Sequence, residues 1–325
     1  MAPRFFGRRL RIALIALSLI SVPARASALE NDDVLTVRGG AVVRIAASDS
    51  SQTLLTPESV ISLNGIDVDA TGTIFVTEGN TGGFGGYVHR VDPGSAVLTP
   101  VGTAGVLREP TDVDILADGM LLVSDPDALG GDGGLILVNP SSGAQSIRYH
   151  GSGVSLHPSN AAVDDFGTIY FLAGTLDSAI VFRLAPGDSI ATEILRSAEI
   201  NANSSMIWHD GQMYATKWEF GTGRVLRIDP TTGQLTILAE GGEIEGPRGI
   251  GVRSDGCLVV VDLFFGLNPC CYRRKLLCID PQTGEQGVIA QYGYLSSMWG
   301  LAVFAGPTTP ARPTSWGRVK ARYRE

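Results

Sequence analysis

Short apolar runs recur along this chain at intervals of roughly 45 residues, and turn-forming residues bound each run. A glycine after a short polar turn marks the same point in five successive units: Gly72, Gly119, Gly167, Gly211 and Gly256. The runs are short and rich in β-branched and aromatic side chains, which is typical of β-strands. No part of the body keeps a helical period, so the pattern predicts an all-β fold.

Each unit contains four such runs, and four antiparallel strands at this spacing form one blade of a β-propeller. The two ends of the chain supply incomplete units. Trp299–Phe304 matches only the first strand of a unit, whereas Val34–Leu55 matches only the second, third and fourth strands. We therefore predict a six-bladed propeller closed by a composite blade from the N- and C-terminal strands, which removes the open sheet edges.

Repeated Gly-Ile-x-Val-Asp and Gly-x-Ile-x-Val-x-Glu/Asp steps are clearest at Gly65–Glu78 and Gly249–Asp262. With these steps, the region Val34–Phe304 resembles the NHL-repeat propellers and the regucalcin/gluconolactonase (TolB-like) group of six-bladed propellers. The resemblance implies the six-bladed architecture more specifically than it implies an activity. The Asn-x-Arg step of NHL loops is replaced here by glycine-rich loops at 82–86 and 130–134.

The first residues have the layout of a secretory signal peptide. Met1–Arg11 carries four arginines and no acid, Ile12–Val22 is apolar, and Ala24–Ala28 offers small residues for cleavage. An apolar run of this length is too short to span a membrane, which takes about 20 residues. We predict export by the Sec route to the periplasm or the exterior, and Arg8-Arg9 leaves a twin-arginine route open.

The predicted organisation is a signal peptide at 1–26, the propeller at 27–306, and a Pro/Thr linker with a basic, aromatic tail at 307–325. The whole chain has a net charge of −8. Removing the signal peptide leaves 20 basic against 33 acidic residues, and the body without the tail has 15 against 32. Such a body repels nucleic-acid phosphates and anionic lipids, and no second apolar run is long enough to cross a membrane.

The tail differs from the body in composition. Pro307, Pro310 and Pro313 predict a stiff, extended linker, after which Trp316–Arg324 alternates aromatic and basic residues. Three interpretations stay open for this segment: docking on the acidic body, contact with the envelope or a partner, and a solvated chain end.

Polar residues mark the start of the innermost strand in the predicted blades. In register, these positions hold Asn64, Asp112, Asn160, Asn203, Arg248 and Trp299. Four of the six blades thus offer Asn or Asp at nearly one height, which suits a small-molecule or protein ligand at the channel mouth, or a hard cation such as Ca²⁺. Asn and Asp also satisfy turn backbones, and that alternative applies to each residue singly.

The resemblance to gluconolactonases implies a divalent metal held by a Glu, an Asn and an Asp. Asn64 looks like the family's Asn, Asp112 looks like its Asp, and Glu199 or Asn203 lies where the Glu is expected. Glu199 lacks the Glu-x-Pro setting of the family, while Glu245-Gly246-Pro247 has that setting in the wrong sector. The match is partial, and it implies a metal-dependent lactonase or esterase as the alternative function.

The histidines, the acidic loop residues and the serines give weaker indications of function. We expect all four histidines at the surface or in turns, with His157 the one candidate for a lyase base. The acidic, glycine-rich segment Asp125–Gly133 is expected to be a solvated, flexible loop, with peripheral Ca²⁺ binding as its alternative. No Gly-x-Ser-x-Gly nucleophile motif is present.

Four cysteines allow three pairings. Cys257 begins the second strand of its blade and Cys278 ends the third, so the two should lie opposite each other and close enough to bond. Cys270 and Cys271 could form a vicinal ring, stay free or pair outward. The absence of a Cys-x-x-Cys spacing argues against zinc and favours structural stapling.

These observations favour a secreted or periplasmic propeller that binds a ligand or a partner, because the scaffold is complete while no catalytic set is. The metal-dependent hydrolase is the second interpretation. A His-dependent lyase and a purely structural module remain as further alternatives.

Overall fold

The computed structural model describes residues 28–59, 61–79, 85–103, 105–151, 157–219, 222–264, 273–291, 293–294 and 300–306. In these ranges, 24 strands form six four-stranded antiparallel sheets, each a meander. The all-β, six-bladed propeller expected from the repeat is therefore confirmed. The predicted signal peptide and the predicted C-terminal tail lie outside the described residues, as do Trp299, Cys270 and Cys271.

Blade 1 comprises β24 (Leu301–Val303), β1 (Val34–Arg38), β2 (Ala41–Ile45) and β3 (Gln52–Leu54), in that order across the sheet. Blade 2 comprises β4 (Ser62–Val68), β5 (Ile74–Gly79), β6 (Tyr87–Asp92) and β7 (Val97–Pro100). Blade 3 comprises β8 (Asp112–Ile115), β9 (Leu121–Asp125), β10 (Gly134–Val138) and β11 (Gln145–His150), with the short helix α1 (Ala128–Gly131) between β9 and β10.

Blade 4 comprises β12 (Pro158–Val163), β13 (Ile169–Gly174), β14 (Ala179–Leu184) and β15 (Thr192–Ser197). Blade 5 comprises β16 (Met206–His209), β17 (Gln212–Lys217), β18 (Arg224–Ile228) and β19 (Leu235–Glu240). Blade 6 comprises β20 (Pro247–Val252), β21 (Leu258–Phe264), β22 (Arg273–Ile279) and β23 (Gln286–Gln291).

The glycines that marked the repeat occupy the turn between the first and second strand of blades 2 to 6. All five have φ between 76° and 86°, which is the left-handed region that glycine adopts without a steric penalty. The sequence signal thus arises from one backbone requirement that recurs in blades 2 to 6.

Blade 1 closes the ring as predicted. Leu301 pairs with Thr36 and Val303 pairs with Val34, so a C-terminal strand completes a sheet begun at the other end of the chain. The segment before β1 reinforces this closure, because Asp32 N–H donates to the Phe304 carbonyl at 2.8 Å. The buried carboxylate of Asp33 lies 2.6 Å from Arg44 of β2.

The hydrophobic core is divided into six clusters, one at each contact between neighbouring blades. Alternation along β1 shows the reason: Val34 packs with Val259 of blade 6, while the next residue, Leu35, packs with Val76 of blade 2. Each blade therefore buries both faces against its two neighbours, which is why strands such as β9 and β13 are buried at nearly every position. No helix in the described part of the chain is long and apolar enough to cross a membrane.

Candidate functional site

The innermost strands β24, β4, β8, β12, β16 and β20 contact one another in that order and surround a central channel. A cavity of about 260 Å³ lies within this channel, between residues of all six strands. Two glycines allow the strands to approach closely beside it. A Cβ at Gly65 would lie 2.6 Å from the Asp112 Cα, and one at Gly300 would lie 2.5 Å from the Asn64 carbonyl oxygen.

One side of the cavity is polar. This polar wall is formed by the innermost strands of blades 2, 3 and 4 and the residues at their starts, and its polar residues are Asp67, Thr111, Asp112, Asp114, Ser159 and Asn160. Ile66, Val113 and Ala161 line the cavity from the same strands. The other side is apolar. This apolar wall is formed by β16, β20 and β24 and consists of Met206, Ile207, Ile250, Gly251, Val252, Leu301, Ala302 and Val303. The loop before β16 adds Ala202 to Ser205 to the lining.

Side chains of the polar wall connect neighbouring blades. The Asp67 carboxylate accepts a hydrogen bond from Ile115 N–H of β8 at 2.8 Å. The Asp112 carboxylate accepts from the Asn160 side-chain amide at 2.7 Å and from Ala161 N–H at 3.1 Å. The Asn160 amide oxygen in turn accepts from Met206 N–H at 2.7 Å. The polar wall therefore links blades 2, 3, 4 and 5 in series.

Three carboxyl groups share this side of the channel, and no Lys, Arg or His occurs among the described residues that line the cavity. Burial raises the pKa of Asp67 to about 7 and that of Asp112 to about 6. Burial also raises the pKa of Asp114 well above its ordinary value, and the charges of Asp112 and Asp67 raise it further. The pKa of Asp67 rises although two backbone N–H groups donate to its carboxylate, because desolvation outweighs them.

Asp114 differs from the other two carboxyl groups in its hydrogen bonding. Both oxygens of Asp67 accept backbone N–H groups, from Val68 and Ile115, and Asp112 is held by Asn160. The Asp114 Oδ2 atom is buried, and within the described structure it has no hydrogen-bond partner. Asp114 is therefore the carboxyl group of the polar wall whose acceptor capacity remains open.

Sequence reasoning had selected six positions around the channel mouth, and the structure brings three of them together. Asp112, Asn160 and Asn203 all line the cavity. Asn64 does not, since its side-chain amide donates to the Pro110 carbonyl at 3.1 Å and so connects blade 2 to the loop before β8. Trp299 lies outside the described residues.

Arg248, the remaining predicted ligand-binding residue, is not among the residues that line the cavity. It is 7% exposed, and its guanidinium lies 4.4 Å from the centre of the Trp218 ring. Burial lowers its pKa to about 10, so it stays charged at neutral pH, and a cation–π contact stabilises it.

The predicted metal ligands are placed apart. Asp112 and Asn203 border the same cavity, whereas Glu199 forms ion pairs with Arg224 and, at 3.8 Å, with Lys217. Among the described residues, no group of three or more His, Cys, Asp or Glu side chains is arranged to hold a metal ion. Binding of Ca²⁺ or another divalent metal by Asn64, Asp112, Glu199 and Asn203 remains a prediction.

Two expectations about other polar residues were wrong. His89 is not at the surface: it is 7% exposed on β6, and its Nε2 lies 2.5 Å from Glu78 Oε2, because a buried imidazole needs a polar partner. Asp125 does not belong to a solvated loop either. It is fully buried, and its carboxylate accepts backbone N–H groups from Arg108 and Glu109 at 2.6 Å and 3.1 Å, which fixes the loop that leads to β8.

His157 and the predicted disulfide are both accounted for by local structure. His157 Nδ1 lies 2.5 Å from the Pro126 carbonyl, so this nitrogen is a hydrogen-bond donor to the backbone. Cys257 and Cys278 are bonded, with their Cα atoms 5.7 Å apart, as expected. Their register was predicted wrongly: Cys278 is paired with Val259, so the cysteines are diagonal neighbours instead of directly opposite.

Sequence reasoning missed Asp67 and Asp114. A signal for them existed, because both stand five residues before the marker glycine of their unit, at Gly72 and Gly119. The corresponding position of blade 6 holds Gly251. Two carboxylates at one repeat position within the first strand of adjacent blades are brought together by the propeller geometry alone.

Comparison with known proteins gives a fold and no family. No family model matches the chain, and no curated protein sequence matches it. Among solved structures, the chain is similar to one in a crystal structure of a nidogen/laminin complex, with a TM-score of 0.67 and 11% sequence identity over 85% of this chain and 100% of that chain. At this identity the likeness supports the propeller fold alone.

Proposed function

We propose that this chain is an exported binding propeller that holds a small polar ligand in its central channel. The observation that carries the proposal is the cavity of about 260 Å³, whose one wall consists of hydrogen-bonding side chains from three neighbouring blades. Concave sites that combine apolar surface with a few convergent polar groups are the usual form of small-molecule sites in proteins. A cavity of this size has room for a ligand of several non-hydrogen atoms, since one water takes about 30 Å³ of liquid volume.

Export is supported by two features. The bond between Cys257 and Cys278 suits an oxidising compartment, and Met1–Ala26 has the composition of a signal peptide. The acidic body makes a nucleic-acid partner unfavourable.

Binding is favoured over the hydrolase alternative by the state of the predicted metal ligands. Glu199 is engaged by two basic side chains, and the Asn64 amide is engaged by a backbone carbonyl, so two of the four expected ligands already have protein partners. A protein partner at the mouth is a further form of the same proposal, and the nidogen/laminin complex shows that a similar fold occurs in a protein assembly.

The experiment is a thermal-shift screen of the wild type with sugars, polyols, amines, carboxylic acids and CaCl₂. Asn203→Trp is the blocking variant, because Asn203 lies in the loop before β16, borders the cavity and has a half-buried side chain. Ser141→Trp, at an exposed turn between β10 and β11, is the matched control. Ligands should raise the melting temperature of the wild type and the control and fail to do so in the blocking variant. The proposal would be contradicted if no compound raised the melting temperature of the wild type, or if the compounds stabilised Asn203→Trp equally.

A further inference from the structure

The polar wall lacks a positive charge. Asp67, Asp112 and Asp114 lie within one cavity, and the described residues that line it include no basic side chain. Carboxylates removed from water need a counter-charge or a proton, because an isolated buried anion is costly. Asp67 and Asp112 receive partial compensation from backbone and amide N–H groups.

Asp114 receives none of this compensation. Its Oδ2 atom is buried without a hydrogen-bond partner in the described structure, and two neighbouring carboxylates oppose its ionisation. A proton, a neutral hydrogen-bond donor or a cation would satisfy this group, whereas an anion or another hydrogen-bond acceptor would not. Among ligands, a cation also offsets the charge of the neighbouring carboxylates, for which the described lining residues supply no basic side chain. The site therefore favours a positively charged ligand.

The apolar wall decides which kind of cation fits. Ca²⁺ takes six to eight oxygen ligands from all directions. Here the carboxyl oxygens lie on one side of the cavity, and Ile207, Val252 and Leu301 line the other. This division suits a ligand with a charged head and an aliphatic body, since each part then meets a surface of its own kind.

We infer that the channel binds a small organic cation, with its ammonium group against Asp67, Asp112 and Asp114 and its aliphatic part against the apolar wall. The inference rests on the proposed function and specifies its ligand class. The ammonium charge would offset the charge of the three carboxylates, and its hydrogens would donate to the carboxyl oxygens that border the cavity.

Binding is linked to proton release. The charged groups that raise the pKa of Asp114 are Asp67 on β4 and Asp112 on its own strand. The charge of Asp69 acts in the same way on Asp67. From β12 the polar wall presents the neutral Asn160, and the described lining residues of β16, β20 and β24 do not titrate. A bound ammonium stabilises the ionised carboxylates, so affinity should rise from pH 5 to pH 8.

The experiment is isothermal titration of the exported chain with n-butylammonium chloride, alongside sodium butyrate, 1-butanol and CaCl₂. We expect butylammonium alone to bind, at least tenfold more tightly at pH 8 than at pH 5. Asp114→Asn should weaken it at least tenfold at pH 8. Asp165→Asn, which removes the same charge from an exposed turn, should leave the dissociation constant within twofold of the wild type.

The fold of each variant is checked by its thermal melt, and Asp67→Asn provides a second change within the polar wall. Weak binding in Asp114→Asn together with a normal melt supports the inference. Tight binding of CaCl₂ in place of butylammonium, or equal affinity in Asp114→Asn and Asp165→Asn, would overturn it. Neutral or anionic ligands that are lost in Asn203→Trp would overturn the cation assignment and leave the proposed function standing, whereas no binding by any compound would remove both.

Discussion

The two walls of the channel are built on the same backbone and differ in the polar contacts that connect their blades. On the polar wall, carboxyl and amide side chains such as Asp112 and Asn160 cross from one blade to the next by hydrogen bonds. On the apolar wall, Met206, Ile250 and Leu301 belong to the hydrophobic clusters between blades. Ile66, Val113 and Ala161, from the strands of the polar wall, belong to such clusters as well, so on that side the polar contacts are added to the packing between blades.

The two walls also differ in their dependence on pH. The apolar wall stabilises the ring in a way that does not depend on protonation, because no described residue of it titrates. The polar wall keeps three carboxyl groups with raised pKa values in contact with the cavity. Perturbed pKa values of this kind cluster at functional sites, which is a reason to place the site on this side of the channel.

The largest effect is expected from Asn160→Leu. This change removes the amide that bonds both Asp112 and Met206 N–H, and Asn160 is 7% exposed. We expect the free energy of unfolding to fall by about 4 kcal/mol, since two buried partners lose a hydrogen bond at about 1–3 kcal/mol each. Urea denaturation measures this difference.

The matched control is Asn203→Leu, because Asn203 borders the same cavity but has no side-chain hydrogen bond within the described residues. Its cost should lie within about 0.5 kcal/mol, as for substitutions away from buried networks. Equal costs for the two variants would show that the polar wall does not stabilise the ring through Asn160.

A change of pH is expected to have an intermediate effect on the free energy of unfolding. The pKa of Asp67 is about 7 in the folded protein, above its ordinary value of 3.8, so the folded state binds more protons between about pH 4 and pH 7. Stability should fall as pH rises through that window and level off above it, with a slope of at most about 1.4 kcal/mol per pH unit for one group.

Comparing the wild type with Asp67→Asn removes the titration of Asp67 and its effect on Asp114, whereas a raised group away from the cavity, such as Asp262, is common to both proteins. Between pH 5 and pH 8, the wild type should lose more stability than Asp67→Asn, as measured by urea unfolding at each pH. Parallel pH profiles for the two proteins would rule out Asp67 as a proton-linked group.

The smallest effect is expected from Ile207→Val on the apolar wall. Removing one methylene should lower the free energy of unfolding by about 1 kcal/mol. The loss should be the same at pH 5 and pH 8, because the change alters packing and no titrating group. A pH-dependent loss would mean that the two walls are coupled and that their separation by mechanism is incorrect.

The fold was accessible from the sequence because its signals are local and repeat. Each marker glycine reports one turn with a positive φ, and each apolar run reports a strand buried on both faces. Even the composite blade followed from counting strands at the ends, where Trp299–Phe304 and Val34–Leu55 complement each other.

The site was accessible only in part. Asp112, Asn160 and Asn203 were found because they lie near the starts of innermost strands, but Asn64 and Arg248 share that placement and make other contacts. That position alone does not decide whether a side chain reaches the cavity, because the register shifts beside Asn64, Asn160 and Arg248 alike, and of these three only Asn160 lines the cavity. A shift of this kind leaves no trace in the spacing of apolar residues.

What the sequence determined by itself is the repeat: four strands per unit, six blades and the composite closure, because turns and strand burial are written into each unit separately. What only the tertiary structure decided is the chemistry of the channel. Asp67 and Asp114 are 47 residues apart in the chain, and their shared cavity exists because neighbouring blades set equivalent positions side by side. Burial and mutual repulsion then change their acidity, and both are properties of the assembled ring.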